Sequence, residues 1–209
     1  MQKLSKFGSS VRTSSVLLTI SYWLVTISSF YLSFVPEKQI TFLGLILGMF
    51  SFVFYCVAIS LALFFTWRWM RNIYIAAEKL QLGFIGYRQG WAFWGWLAPI
   101  VSLWIPRRIL DSCYEIFTKS LKKETTLDTR FWWNTFIFSG IAGWISFRLS
   151  LSGEDPYSAL FDLVCTILLT LSLPSWLKVV ESLSDIYEES LAQEVSNITS
   201  QTNQPSEAE

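Results

Sequence analysis

Apolar positions cluster in four runs, at residues 16–35, 42–67, 131–147 and 157–176. A helix that crosses a bilayer needs roughly 20 mainly apolar residues. The pattern predicts an all-α, polytopic membrane protein with four transmembrane helices. Small and hydroxylated residues recur within the runs. Ser14, Ser21 and Ser28 stand at heptad spacing in the first. Gly44, Gly48, Ser51, Tyr55, Ala58 and Ala62 follow one another at steps of three or four in the second, and Ser139, Gly140, Gly143 and Ser146 give the third a small-residue face. Small faces let membrane helices approach closely. The GxxxG of Gly44 and Gly48 reads as a dimerisation face or as packing inside this bundle.

The polar stretches between the runs predict further elements. Residues 1–15 form an N-terminal segment and residues 36–38 a short turn. The second run continues as the helical pattern WRWMRNIYIAAEKLQ until Gly83 and Gly86 interrupt it. Over residues 106–121, Ile109, Leu110, Cys113, Ile116, Phe117 and Leu121 recur at i+3/i+4 spacing, with Arg107, Arg108, Asp111, Glu115 and Lys119 off that stripe. This predicts an amphipathic helix, opened by Pro106 and lying on a membrane surface or on the protein. Residues 178–195 predict a second, acidic amphipathic helix that continues the fourth run. Residues 196–209 are polar and expected to be disordered.

Residues 91–106, WAFWGWLAPIVSLWIP, fit none of these patterns. The segment is apolar, dense in tryptophan (Trp91, Trp94, Trp96, Trp104) and interrupted by Pro99 and Pro106, yet too short to span as a helix. A proline inside a helix removes a backbone donor. Broken backbone at membrane depth is tolerated only where protein or water covers it. The segment therefore reads as re-entrant, lining a substrate or lipid cavity, or as an interfacial anchor. A full crossing would move Arg148 and the tail to the opposite side and weaken the charge asymmetry described next.

Only 15% of the 209 residues are charged, against about 25% in soluble domains. The net charge is zero, and nothing suggests a nucleic-acid partner. The distribution is uneven. Residues 68–130 hold ten Lys/Arg and five Asp/Glu, whereas residues 178–209 hold one Lys and seven acids. By the positive-inside rule both termini and the middle segment face the cytoplasm of a multi-pass protein in the cell (inner or plasma) membrane. Trp67, Trp69, Trp132, Trp133 and Trp176 then fall near one interface, as an aromatic belt would. Arg68, Arg71, Arg88, Arg107 and Arg108 surround the tryptophan–proline segment, either binding anionic headgroups or only enforcing topology. The acidic helix, on the same side, is expected to dock on this basic segment.

Candidate chemistry is sparse. Histidine is absent, and Cys56, Cys113 and Cys165 are far apart with no CxxC. No catalytic residue, cofactor or metal site is expected, and GxSxG, HExxH, Walker and GxGxxG motifs are missing. Asp162 is the one acid inside a predicted span. With Ser158, Thr166 and Thr170 it forms an i+4 polar stripe. An intramembrane carboxylate is a functional candidate by default, so the stripe reads as an ion or proton path. Its bland reading is a side chain reaching the outer interface, since Asp162 lies only about 9 Å into its helix.

The motifs WRWMRN, GYRQGWAFWGWLAPIVSLWIPRRILDSCYEI and FWWNTF resemble the domain of unknown function (DUF) 4328 family of bacterial membrane proteins. The matching residues are Arg71-Asn72, Gly90-Trp91-Ala92, Trp94, Trp96, Pro99, Leu103-Trp104, Pro106 and Trp132-Trp133. Gln89, Ser102 and Arg107 depart from the family's usual proline, asparagine and aromatic residue. The resemblance implies topology and membrane location rather than a mechanism. The expected role is a non-enzymatic organiser of membrane lipids (anionic headgroups), a protein partner or a homo-oligomer through the cytoplasmic face. A small transporter or channel subunit is the alternative, and a membrane enzyme the third.

Overall fold

The computed structural model describes residues 4–35, 41–80, 82–83, 85–97, 104–153 and 155–202. Six helices follow in order: α1 (Leu4–Phe34), α2 (Phe42–Leu80), α3 (Trp91–Leu97), α4 (Ile105–Ser120), α5 (Arg130–Leu151) and α6 (Asp155–Thr202). No strand occurs among the described residues. The turn expected at residues 36–38, Pro99, and residues 203–209 of the expected tail lie outside them.

Three helices are long and apolar enough to cross a membrane, over Lys6–Phe34, Phe42–Leu80 and Pro156–Ser196. The third expected crossing, α5, is not among them, because Asn134, Thr135, Gly140, Gly143 and several serines dilute its apolar character. α2 has 39 residues, about 58 Å at 1.5 Å per residue, roughly twice a hydrocarbon core of about 30 Å. The fourth run and the acidic helix are one continuous element. α6 passes through Pro174, which is exposed, and runs on to Thr202, into the stretch expected to be disordered.

The chain forms two compact units. The bundle unit comprises residues 9–66 and 128–178. Its helices turn their small residues inward: Ser14, Ser21, Ser51, Ala58, Ala62, Ser139 and Ser146 are all buried. A Cβ added at Gly44 would run into the ring of Tyr31, and one at Gly48 would meet Leu32 at 3.6 Å. Both partners belong to α1, so the GxxxG packs inside the chain. Gly140, in contrast, is exposed with nothing within 4 Å of an added Cβ. It lies off the face that Ser139, Gly143 and Ser146 share.

The belt reading of the tryptophans needs correction. Trp132 meets Trp133 edge to face and Trp176 at a tilt, with ring centroids 4.9 and 4.8 Å away. All three are buried, as is Trp69. These indoles fill cores, and an indole's large apolar body suits a core as well as an interface. Trp144 stands outward, 64% exposed, with the Arg148 guanidinium 6.0 Å from its ring centre.

The second unit comprises residues 1–8, 67–127 and 179–209 and mixes charged with apolar residues. The predicted stripe of α4 is its centre: Ile109, Leu110, Cys113, Ile116 and Phe117 are buried by protein. Trp69, Met70, Ile73 and Ala77 of α2 and Val179, Val180, Leu183 and Ile186 of α6 complete the core. The Trp69 indole donates to Ser184 Oγ at 3.1 Å. A Cβ on Gly8 would lie 2.9 Å from the same oxygen, so the start of α1 approaches α6 closely. α4 ends with Lys122 in the left-handed region (φ 53°) and Lys123 N–H donating to the Thr118 carbonyl, a Schellman-type stop.

Candidate functional site

Two places gather polar side chains. The first is a cavity of about 350 Å³ in the mixed unit. Beyond Trp67, α2 carries Arg68, Asn72, Ile75 and Lys79 at spacings of four, three and four. Helical geometry puts these on one face, and that face lines the cavity. Phe7 from α1, Phe117 from α4, and Tyr187 and Glu194 from α6 form other walls. The Arg68 guanidinium lies 4.9 Å from the centre of the Phe7 ring, a cation–π contact. The Phe117 and Tyr187 rings meet edge to face at 5.6 Å.

Chemically, the cavity offers two cations, an amide, a phenol and one carboxylate against aromatic walls. Arg68 and Asn72, one helical turn apart, can donate together to an anionic oxygen, and a guanidinium suits phosphate geometry.

The other expected residues of this unit fall around the cavity rather than in it. Asn72 enters it, but Arg71, the next position round the helix, is exposed. Arg88 is exposed, Arg107 lies 3.5 Å from Asp111, and Arg108 donates to the Tyr87 hydroxyl at 3.4 Å. One carboxylate of the acidic helix meets the basic segment, at a lysine rather than at one of the arginines named above: Lys123 Nζ lies 2.7 Å from Glu189.

Trp91–Leu97 forms α3 and Pro106 opens α4. A Cβ on Gly95 would lie 3.2 Å from Ile105 Cγ2 and 3.5 Å from Pro106 Cγ. Gly95 of α3 and the Ile105–Pro106 start of α4 therefore lie side by side. Ala92 and Pro106 are buried, Trp91 and Trp96 are half-buried, and the Trp96 indole donates to Met70 Sδ at 3.1 Å. Trp94 and Trp104 are exposed.

The second place is the polar stripe of α6 in the bundle unit. Its four members do share a face, and each meets another helix. Thr170 accepts from the Trp23 indole at 3.1 Å, and Thr166 Oγ1 lies 2.6 Å from Thr26 Oγ1. Asp162 accepts from Ser146 of α5 at 2.5 Å and from Ser29 of α1 at 3.2 Å. Ser146 Oγ also lies 3.0 Å from both Ser158 Oγ and the Ser158 carbonyl oxygen. Sequence reasoning missed Ser29, Ser146 and Thr26 as partners of the stripe, and Phe7, Lys79, Tyr187 and Glu194 as cavity walls. The four-three-four spacing on α2 was the available signal for Lys79.

An all-helical chain with three helices of membrane-crossing length and apolarity is a helical membrane protein. More specifically, the chain belongs to the DUF4328 family, a domain of unknown function, which matches residues 37–180. No curated protein and no solved structure matches the chain. The family range includes Arg68, Asn72, Lys79 and Phe117 of the cavity and leaves out Phe7, Tyr187 and Glu194.

Proposed function

We propose that the protein is a non-enzymatic organiser of the cell membrane, gripping anionic lipid headgroups and gathering protein partners or further copies through its cytoplasmic face. The cavity of Arg68, Asn72 and Lys79 carries this reading. A phosphodiester would take hydrogen bonds from Arg68 and Asn72, its charge balanced further by Lys79. Each basic residue near an anionic surface contributes about 1 kcal/mol, so two cations favour an anionic over a neutral headgroup by about 2 kcal/mol, roughly thirtyfold. Glu194 disfavours ligands of high negative charge.

The threading that goes with this reading has four crossings. α5 has 22 residues, about 33 Å, enough for a hydrocarbon core of about 30 Å. The basic middle segment and both termini are placed in the cytoplasm by the positive-inside rule. The exposed indoles of Trp94 and Trp104 suit headgroup depth.

Native mass spectrometry of the delipidated protein, titrated with phosphatidylglycerol or phosphatidylcholine, tests the reading. The wild type is expected to prefer the anionic lipid at least tenfold, and the Arg68→Gln/Asn72→Ala double variant to lose that preference. Equal retention of both lipids by the wild type, or an unchanged preference in the double variant, refutes it. A small transporter or channel subunit is the second reading, favoured by the close approach of Gly95 to Ile105. Solute flux in proteoliposomes above that of empty vesicles would move the conclusion there.

A further inference from the structure

We propose that the cavity of the mixed unit selects a hydroxylated headgroup: a phosphodiester of single charge whose outer end carries neighbouring hydroxyls, as in a phosphatidylglycerol. The inference rests on the anionic-lipid reading of the same cavity and adds the part of the headgroup beyond the phosphate. The Trp69 indole donates to Ser184. Three, seven and ten residues further along, α2 carries Asn72, Ala76 and Lys79 and α6 carries Tyr187, Leu191 and Glu194, and all six line the cavity. The equal steps mean that the two helices run side by side in the same direction here, with Asn72 opposite Tyr187 and Lys79 opposite Glu194. One end of the cavity thus holds the Tyr187 phenol, Asn72 and, one turn back, Arg68. The other end, about 10 Å along at 1.5 Å per residue, holds Lys79 and Glu194.

The polar ends of Arg68, Asn72, Lys79, Tyr187 and Glu194 have no hydrogen-bond or ion-pair partner among the described residues, although Asn72 and Tyr187 are half-buried. Lys79 and Glu194 line one cavity without closing a salt bridge on each other. Guanidinium, amide and phenol all donate, which suits the oxygens of a phosphate. At the far end an ammonium only donates and a carboxylate only accepts. A group that answers both must accept and donate, and a pair of neighbouring hydroxyls does. An amine headgroup answers Glu194 but is repelled by Lys79, and a trimethylammonium has no hydrogen to give. A serine headgroup answers both only by desolvating two further charges, which is costly. The charges agree: Arg68 and Lys79 against Glu194 leave one net positive charge, which one phosphodiester neutralises and a doubly charged phosphomonoester exceeds.

The test is native mass spectrometry of the delipidated full chain with phosphatidylglycerol or with phosphatidylethanol, which carries the same single charge and no hydroxyl. The wild type is expected to favour phosphatidylglycerol about tenfold or more, the ratio for one hydrogen bond to a charged group. Glu194 is exposed, so Glu194→Ala leaves the fold intact. This variant is expected to lose the preference while binding phosphatidylethanol no more weakly than the wild type, since a lost carboxylate cannot repel an anion. Equal binding of the two anionic lipids by the wild type overturns the proposal. So does a preference that persists in Glu194→Ala, or tighter binding of phosphatidylserine than of phosphatidylglycerol. The anionic-lipid reading survives any of these results if both anionic lipids still outcompete phosphatidylcholine, and falls with the proposal if they do not. Displacement of the lipid by an equal concentration of soluble glycerophosphoglycerol would assign the same recognition to a free diester and overturn the lipid reading beneath it.

Discussion

Replacing Phe117 with alanine probes the packing on which the proposed lipid site depends. Phe117 is fully buried, its ring meets Tyr187 edge to face at 5.6 Å, and it walls the cavity of about 350 Å³. Truncating a buried phenylalanine costs about 3–5 kcal/mol, part of which is the void left behind. Here the new space opens onto a cavity lined by Arg68, Asn72 and Glu194. Water can occupy polar space of that size, so the void term shrinks and the expected loss is about 3 kcal/mol. Leu110 is equally buried and lines no such cavity. Leu110→Ala should therefore cost as much or more, up to about 5 kcal/mol, although it deletes a smaller side chain. Tyr187→Ala combined with Phe117→Ala should show a coupling of about 0.5–1.5 kcal/mol, the aromatic pair's own share. Denaturation in mixed micelles, followed by tryptophan fluorescence, gives all four free energies. A loss below about 1 kcal/mol for Phe117→Ala, or a coupling near zero, would refute the docking of α4 on α6 and the cavity wall with it.

Trp132→Phe is expected to leave stability unchanged or raise it by up to about 1 kcal/mol, because the buried Trp132 Nε1–H has no hydrogen-bond partner among the described residues and removing an orphan donor offsets the lost ring area; a loss above about 2 kcal/mol in the same assay would contradict this. Burial pushes the Cys113 thiol from 9.0 up to about 12. Stability is thus expected to hold below pH 9 and to fall between 9 and 12, where the unfolded thiol ionises and the folded one keeps its proton. Cys113→Ala should remove that part of the fall, and a pH profile identical to wild type would exclude it.

Periodic features were legible in the sequence because one helix is enough to show them. The α4 stripe, the inward serines of α1 and the Gly44–Ala62 face of α2 all read correctly from spacing alone. The tryptophans did not. A run such as Trp132-Trp133 serves an interface or a core equally well, and only Trp176 packing on it from another helix decides. Gly140 was misplaced because three neighbouring small residues shared its register closely enough to hide the difference. The cavity was hidden for a related reason: Phe7, Lys79, Phe117 and Tyr187 are more than 30 residues apart, and no local pattern links them. Asp162 stood out at once as the lone acid of a predicted span, but its partners Ser29 and Ser146 were legible only as small residues.

The hydroxyls of the bundle also bear on how such a chain enters a bilayer. Ser28, Ser51, Thr166 and Thr170 each donate to the carbonyl four residues back on their own helix. Each of these hydroxyls is thus matched before its helix meets a neighbour, which lowers the cost of leaving the insertion machinery alone. Assembly then exchanges a bond within one rod for a bond between two. The energy gained per exchange is small, and the bundle is joined by many weak, reversible clasps that can be opened and re-made while the fold finds its register.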